Sequence, residues 1–280
     1  MKPSSTVTVI IPCFNDGAYI MEALQSIWNQ TVAPHNIIII DDGSNEYTKK
    51  VLQKIQQGRV TIIHQENQGV SAARNRAIRL ANTPYILNLD ADDYYEPTFI
   101  EKAIQILDAE AFTGLVSSHC RTFLETKTVA IDIPLGGGVT DFLFINNGRA
   151  SAMFRKECWE EVGGFDENMK AGYEDWEFWL AITKNNWCMH IIPEILSHYR
   201  IKNTSRDRNA IVHHDYELRM YIFNKHKELY KTHYEFYASA LLRQNSILRT
   251  SLLNAKESKE FQLGKLLLAP LRFFKKIISR

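Results

Sequence analysis

The chain has 280 residues, 45% of them hydrophobic and 11% aromatic, enough apolar material for one large domain with a smaller appended element. Its 33 Lys and Arg against 32 Asp and Glu leave a net charge of +1, so the molecule as a whole has no field that draws it to nucleic acid. Four scattered cysteines (Cys13, Cys120, Cys158, Cys188) form no CxxC or Cys/His pattern, which argues against a disulfide framework or a zinc site and fits a reducing compartment.

Residues 7–11 and 37–40 are short β-branched apolar runs closed by turn or acidic residues, the pattern of strands buried on both faces of a parallel sheet. The first run, followed to Phe14 and broken by Pro12, is too short and too punctuated for a secretory leader. Tyr19, Ala23, Ile27 and Trp28 then recur at helical spacing, as do Val51, Leu52 and Ile55 after the second run. Residues 60–63 predict a third strand, 71–80 a helix and 85–89 a fourth strand. This alternation predicts an α/β fold, a Rossmann-like and mostly parallel sheet flanked by helices, with right-handed crossovers. Ligands collect at the carboxyl ends of strands in such sheets. Here those positions are acidic: Asp41 and Asp42 follow the second strand, and Asp90, Asp92 and Asp93 the fourth.

From about 112 to 192 the pattern is mixed, with short runs such as 115–118, a Gly136-Gly137-Gly138 break and a helix from Asp175 onward. Beyond Arg206 it becomes almost purely helical, with Tyr216, Met220 and Phe223, then Phe236, Ala240, Leu241 and Leu248. The expected division is a domain over 1–205 and a helical C-terminal extension over 206–280. Residues 264–280 carry Lys265, Arg272, Lys275, Lys276 and Arg280 among leucines, isoleucines and phenylalanines, with no acidic residue. Such a segment suits the interface of an anionic inner leaflet, or it packs as a final helix with a solvated basic face. No run reaches the roughly 18 uninterrupted apolar residues of a membrane span, so membrane contact is expected to be peripheral.

Asp90 and Asp92, with Ala91 between them and Asp93 beyond, lie on the same side of an extended strand end. Two carboxylates there can share a hard cation, Mn²⁺ or Mg²⁺, that bridges protein and diphosphate. A solvated acidic turn capping the next helix is the plainer alternative. Ile40-Asp41-Asp42-Gly43-Ser44 would present one carboxylate to a base or ribose and use the other to fix the turn, or it is an ordinary βα turn. Arg74, where a helix begins, would meet base or phosphates, or would pair with a neighbouring aspartate. Glu174 and Asp175 at a helix N-terminus are either caps stabilised by the helix dipole or, for Asp175, a general base that needs burial. Tyr173, Trp176 and Trp179 would offer a sugar-stacking surface or belong to the core.

In order, Val9-Ile10-Ile11-Pro12-Cys13-Phe14-Asn15, Asp41-Asp42-Gly43-Ser44, residues 69–75, residues 89–93, Val162-Gly163-Gly164-Phe165-Asp166-Glu167 and Glu174-Asp175-Trp176 resemble the family 2 glycosyltransferases. Six motifs in sequence are far more specific than any one, and the resemblance covers roughly residues 5–205. It implies a GT-A fold and transfer of a sugar, with inversion, from a nucleotide diphosphate donor, UDP being favoured. The acceptor would be a glycan or lipid-linked hydroxyl in cell-surface polysaccharide or glycolipid synthesis, at the cytoplasmic membrane face.

The resemblance also implies roles. Pro12, Phe14, Asn15, Asp41, Asp42, Arg74, Asp90, Ala91 and Asp92 would bind the nucleotide sugar, and Asp92 with Asp90 and Asp93 the metal. Asp175 would be the catalytic base beside Glu174, with Trp176 and Tyr173 toward the acceptor. One departure stands out: Tyr199-Arg200-Ile201-Lys202 has Lys202 where the family often has His. An ammonium cannot ligate a metal but can pair with a phosphate. Either the metal has fewer protein ligands, or Lys202 takes over part of the charge neutralisation. Two rivals remain: a nucleotide-sugar-binding protein without turnover, and a sugar nucleotidyltransferase. The second lacks support from any glycine-rich, lysine-bearing phosphate loop near the N-terminus.

Overall fold

A computed structural model describes residues 6–55, 59–202 and 206–278, without the side chains of 207, 208 and 270–278. The described chain divides into two compact units, Met1–Tyr230 and Lys231–Arg280. The helices from Arg206 to Lys225 fall within the first unit.

The first unit is built on one sheet. Strands β1 (Val7–Cys13), β2 (Asn36–Asp42), β3 (Val60–Gln65) and β4 (Tyr85–Asn88) pair in parallel in the order β3-β2-β1-β4. They are joined by α1 (Ile20–Trp28), α2 (Glu46–Leu52) and α3 (Val70–Leu80). The predicted four-strand half thus forms as read. The apolar runs of β1, β2 and β4 are buried, while β3 at the edge is only partly so, and Val9, Ile11, Ile39 and Leu87 share one apolar cluster with Leu24 and Ile27 of α1. The order reverses at β1, whose successor lies on one side while β4 returns to the other. Such a switch point opens a crevice at the strand ends.

Beyond β4 come β5 (Tyr94–Tyr95), α4 (Phe99–Ala109), β6 (Thr113–Leu124), β7 (Lys127–Asp132), α5 (Val139–Phe142), β8 (Met153–Arg155), α6 (Lys156–Val162), α7 (Glu174–Thr183) and β9 (Cys188–Arg200). The sheet continues from β4 through antiparallel β8 to β6, which runs parallel to β9, and β5 closes that edge. Strand β7 pairs back on β6. Helix α8 (Arg206–Asn209), a π-helical turn (Ala210–His214), α9 (Asp215–Lys225) and α10 (Lys227–Thr232) follow.

The second unit contains α11 (Tyr234–Glu257) and α12 (Lys259–Ile278). Leu263, Leu266, Leu267 and Leu268 of α12 are exposed. Among the described residues, no helix is long and apolar enough to cross a membrane.

Candidate functional site

The ends of β1, β2 and β4, the N-terminus of α7 and the stretch after β9 surround a cleft of about 610 Å³, within the size range of small-molecule sites. Pro12, Phe14, Asp16, Asp42, Asp90, Ala91, Asp92, Asp93, Tyr173, Glu174, Asp175, Trp176 and Lys202 all line it.

On the β2 side the two aspartates have different work. Asp41 is buried and accepts from Ser44 N at 3.0 Å while pairing with His64 Nδ1 at 2.7 Å. Burial opposes its charge, but the Ser44 and His64 hydrogen bonds prevail and hold the carboxyl below its ordinary range. Asp42 faces the cleft and accepts from Gln65 Nε2 at 2.7 Å, Gln68 N at 2.9 Å and Gly69 N at 2.8 Å. It therefore fixes the loop that leads into α3. Gly43 between this pair and Ser44 has φ +77, and a Cβ there would lie 2.8 Å from Asn67 N, so the turn requires glycine.

The β1 end is braced by the same turn. Asn15, at φ 63, donates its backbone N–H to Ser44 Oγ at 3.0 Å and accepts from Asn45 N at 2.8 Å. Like Asp41, it does not line the cleft; both hold the turn beneath it.

Arg74 is fully buried and donates three ways: Nε to Asn88 Oδ1 at 3.2 Å, Nη1 to Glu174 Oε1 at 2.9 Å and Nη2 to Asp90 Oδ1 at 2.8 Å. It, too, is absent from the cleft lining. Of its two readings, the ion pair is the one formed. Arg206 also donates to Glu174 Oε1. Burial disfavours the Glu174 and Asp90 carboxylates, yet Arg206 and Arg74 hold Glu174 low, and Arg74 holds Asp90 low.

At the α7 N-terminus, Asp175 is half-buried and oriented from both sides: Oδ1 accepts from Trp176 N at 2.8 Å and Oδ2 from Asn146 Nδ2 at 3.0 Å. Gly172 precedes it at φ +133, with a would-be Cβ 2.8 Å from Ala210 Cβ, so the chain enters α7 pressed against the π-helical turn. Tyr173 donates its hydroxyl to Asp215 Oδ1 at 2.6 Å. Trp176 is 3% exposed and donates Nε1 to Phe142 O at 2.7 Å, and Trp179 is fully buried among Phe154, Phe165 and Phe178. The stacking surface expected of the two tryptophans is thus mostly core, leaving Tyr173 as the more accessible ring.

Opposite, Lys202 Nζ lies 2.7 Å from Asp92 Oδ2 and 2.7 Å from Asp16 Oδ1. Burial disfavours its charge, but the two carboxylates raise its pKa above the ordinary lysine value.

The sequence matches the family model described as Glycosyl transferase family 2 over residues 8–162, more than half of the chain. The chain belongs to glycosyl transferase family 2. This family 2 chain is similar to the chondroitin synthase of Escherichia coli, 27% identical over 200 residues, or 68% of this chain and 28% of that protein. It is similar to the hyaluronan synthase of Pasteurella multocida, 26% identical over 268 residues, or 79% of this chain and 26% of that protein. It spans about a quarter of the length of these relatives. Among solved structures, S. aureus TarS 1-349 in complex with UDP-GlcNAc aligns at TM-score 0.68 and 19% identity, covering 94% of this chain and 78% of that one. At that identity the likeness shows the fold, which is GT-A, with its helical C-terminal extension.

The family pattern carries the expectation of Mn²⁺ or Mg²⁺ on Asp90, Asp92 and Asp93, and the residues present do not fit such an ion as arranged. Divalent ions of this kind need carboxylate oxygens with free lone pairs turned to one point. Asp90 Oδ1 accepts from Arg74, Asp93 Oδ1 accepts from Arg200 N at 2.9 Å, and Asp92 Oδ2 pairs with Lys202, so a cation or a backbone N–H already stands on one oxygen of each carboxylate. Asp93 is 3% exposed, and burial followed by the charges of Asp92 and Asp90 raises its pKa well above the carboxylate range. Among the described residues no group of three His, Cys, Asp or Glu side chains could hold a metal. His198 does not line the cleft: it pairs with Glu96 Oε1 at 2.7 Å, accepts from Arg121 Nε at 2.9 Å and stacks on Tyr94.

The sequence reading missed several cleft residues. Asp16, Asn146, Arg149, Lys170, Arg206 and Arg219 all line it. Asp16, directly after the first strand's turn, had the positional signal of a strand-end residue. Arg206 and Arg219 sit in helices assigned to the extension, and nothing in their periodicity marks them.

Proposed function

We propose that this chain transfers a sugar from a nucleotide diphosphate donor, a UDP-sugar, to an acceptor hydroxyl during cell-surface polysaccharide or glycolipid synthesis, with inversion at the anomeric carbon. The observation that carries this reading is that Asp175, held from both sides but open to the cleft, shares one cavity with Asp42 and Asp92 at the strand ends. A donor laid across the switch point would put its base by Asp42 and its diphosphate by Asp92 and Lys202.

Asp175 then acts as general base, taking the proton of the acceptor hydroxyl as that oxygen attacks the anomeric carbon from the face opposite the diphosphate. Double displacement would need a second, nucleophilic carboxylate. The neighbouring candidates, Glu174 and Asp90, are both tied up by arginine. Tyr173 and the Trp176 edge would guide the acceptor.

The UDP and UDP-GlcNAc complexes of the structurally similar TarS support a uridine donor. The names of the chondroitin and hyaluronan synthases support a polysaccharide product. A lipid-linked or membrane-proximal acceptor would suit the basic, leucine-rich end of α12, which would bring the enzyme to an anionic cytoplasmic membrane face.

A thermal-shift panel of UDP, GDP, ADP and UDP-sugars tests the reading, because a ligand that binds the folded state alone raises its apparent stability. A shift selective for UDP and a UDP-sugar is expected. No shift with any nucleotide would overturn it, and pyrophosphate release from UTP and a sugar phosphate would favour a nucleotidyltransferase instead.

A further inference from the structure

This inference rests on the functional reading above and concerns the charge that develops on the departing diphosphate. A donor site lined by Asp16, Asp90 and Asp92 repels a nucleoside diphosphate unless a cation stands between them. Lys202 stands there. Its Nζ is 2.7 Å from Asp16, in the turn after β1, and 2.7 Å from Asp92, after β4, with the Tyr19 ring centroid 5.7 Å away. Two separate segments of chain, the turn after β1 and the one after β4, therefore converge on one ammonium in the cleft.

The neighbouring cation reinforces the placement. Arg200 donates Nε to the Asp92 carbonyl at 3.0 Å, pairs with Glu22 and lies between the Tyr19 and Phe123 rings, with both centroids 4.6 Å from its Cζ. It is spent on holding the Asp92 backbone and the start of the segment that carries Lys202. An ammonium has three N–H donors and no lone pair. Two meet the Asp16 and Asp92 carboxylates, and the third remains for a phosphate oxygen. A Mg²⁺ ion would have to approach Asp92 to about 2.1 Å, against an ammonium already on that carboxylate.

We infer that Lys202, rather than a divalent metal, is the cation of the donor site, binding the nucleoside diphosphate and neutralising it as it leaves. In the transfer step the acceptor oxygen bonds to the anomeric carbon, and the bond from that carbon to the diphosphate oxygen breaks with its electron pair passing to the UDP. The acceptor proton goes to Asp175. Lys202 faces the oxygen that gains charge, and Arg206, which also lines the cleft, adds a second positive group beside Glu174.

The test is isothermal titration of UDP into the full chain, in buffer with EDTA and in buffer with Mn²⁺. The wild type is expected to bind UDP equally in both, and Lys202→Met to weaken binding about tenfold or more in both, as loss of a charge-assisted phosphate contact would. Lys202→Arg, which keeps the charge, is expected to retain most of the affinity, and melting curves report whether each variant folds. UDP binding by the wild type that disappears in EDTA and returns with Mn²⁺ overturns this inference while leaving the transferase reading intact. A folded Lys202→Met that binds UDP as the wild type does overturns it as well. No UDP binding by the wild type in either buffer overturns the functional reading, and this inference with it.

Discussion

Arg74 Nη1 lies 2.9 Å from Glu174 Oε1, a contact between α3 and the first turn of α7 that spans a sequence separation of 100. Because Nη2 of the same guanidinium holds Asp90, the end of β4 and the first turn of α7 are one ionic unit. Removing the arginine leaves Asp90 without its guanidinium partner and the buried Glu174 with Arg206 alone. Arg74→Ala is expected to cost on the order of 3–5 kcal/mol, read from the urea midpoint. The pH dependence has a definite sign. Asp90 and Glu174 are held below their ordinary values of 3.8 and 4.5, burial being outweighed by Arg74 for Asp90 and by Arg206 with Arg74 for Glu174. Their contribution is present above those values and is lost as pH falls through the lower folded pKa values. Melting temperature should therefore fall as pH drops below about 4.5, and in Arg74→Met this acid sensitivity should shrink.

Asp42 and Asp41 offer a paired test of which carboxylate meets the nucleotide. Asp42→Ala removes the acceptor of three donors and opens the loop into α3, so it should lower stability by about 1–3 kcal/mol and weaken UDP binding strongly. Asp41→Ala should lower stability too, through its lost turn, while leaving UDP affinity near that of the wild type. Calorimetric titration of both variants distinguishes the roles, and equal loss of UDP binding in the two would contradict them.

The end of α12 makes a separate prediction. From Gly264 the sequence has basic and apolar residues and no acidic one, and Leu266 and Leu267 are 73% and 65% exposed. Such a helix binds an interface by apolar burial added to attraction for anionic headgroups. Co-sedimentation should show binding to vesicles containing phosphatidylglycerol, little binding to neutral vesicles, and loss of binding on deleting residues 259–280. Equal binding by the deleted protein would place membrane contact elsewhere.

The parallel half of the fold was legible because its inner strands β1, β2 and β4 are buried on both faces and so read as apolar runs, as in residues 37–40. Strands β6 and β9 were not. In β6, Ser117 and Ser118 are fully buried and satisfied by Ser151 O and His119 O, so a core strand looks polar in sequence. The cleft-lining acidic residues just after predicted strands, Asp42, Asp90, Asp92 and Asp93, were legible for the same reason that the strands were. The roles of Asp41, Asn15 and Arg74 were not legible, because a polar side chain that braces a turn and one that touches a ligand have the same sequence position. Trp176 and Trp179 show the limit of periodicity: α7 is buried nearly all round, so its aromatic face could not be told from a binding surface. Arg206 and Arg219 reach the cleft from helices that follow it in sequence, a placement made by tertiary packing.

The central claim is that Asp175 is the base of a sugar transfer at this cleft. The direct measurement is UDP release from a UDP-sugar by the wild type and by Asp175→Asn, beside UDP affinity for each. Asn cannot take a proton yet can keep the hydrogen bond from Trp176 N and the fold. The prediction is turnover reduced roughly 10²–10⁴-fold with UDP affinity unchanged. Wild-type turnover retained by Asp175→Asn would contradict the assignment of the base, and no turnover by the wild type with any bound UDP-sugar and acceptor would contradict the claim of catalysis itself.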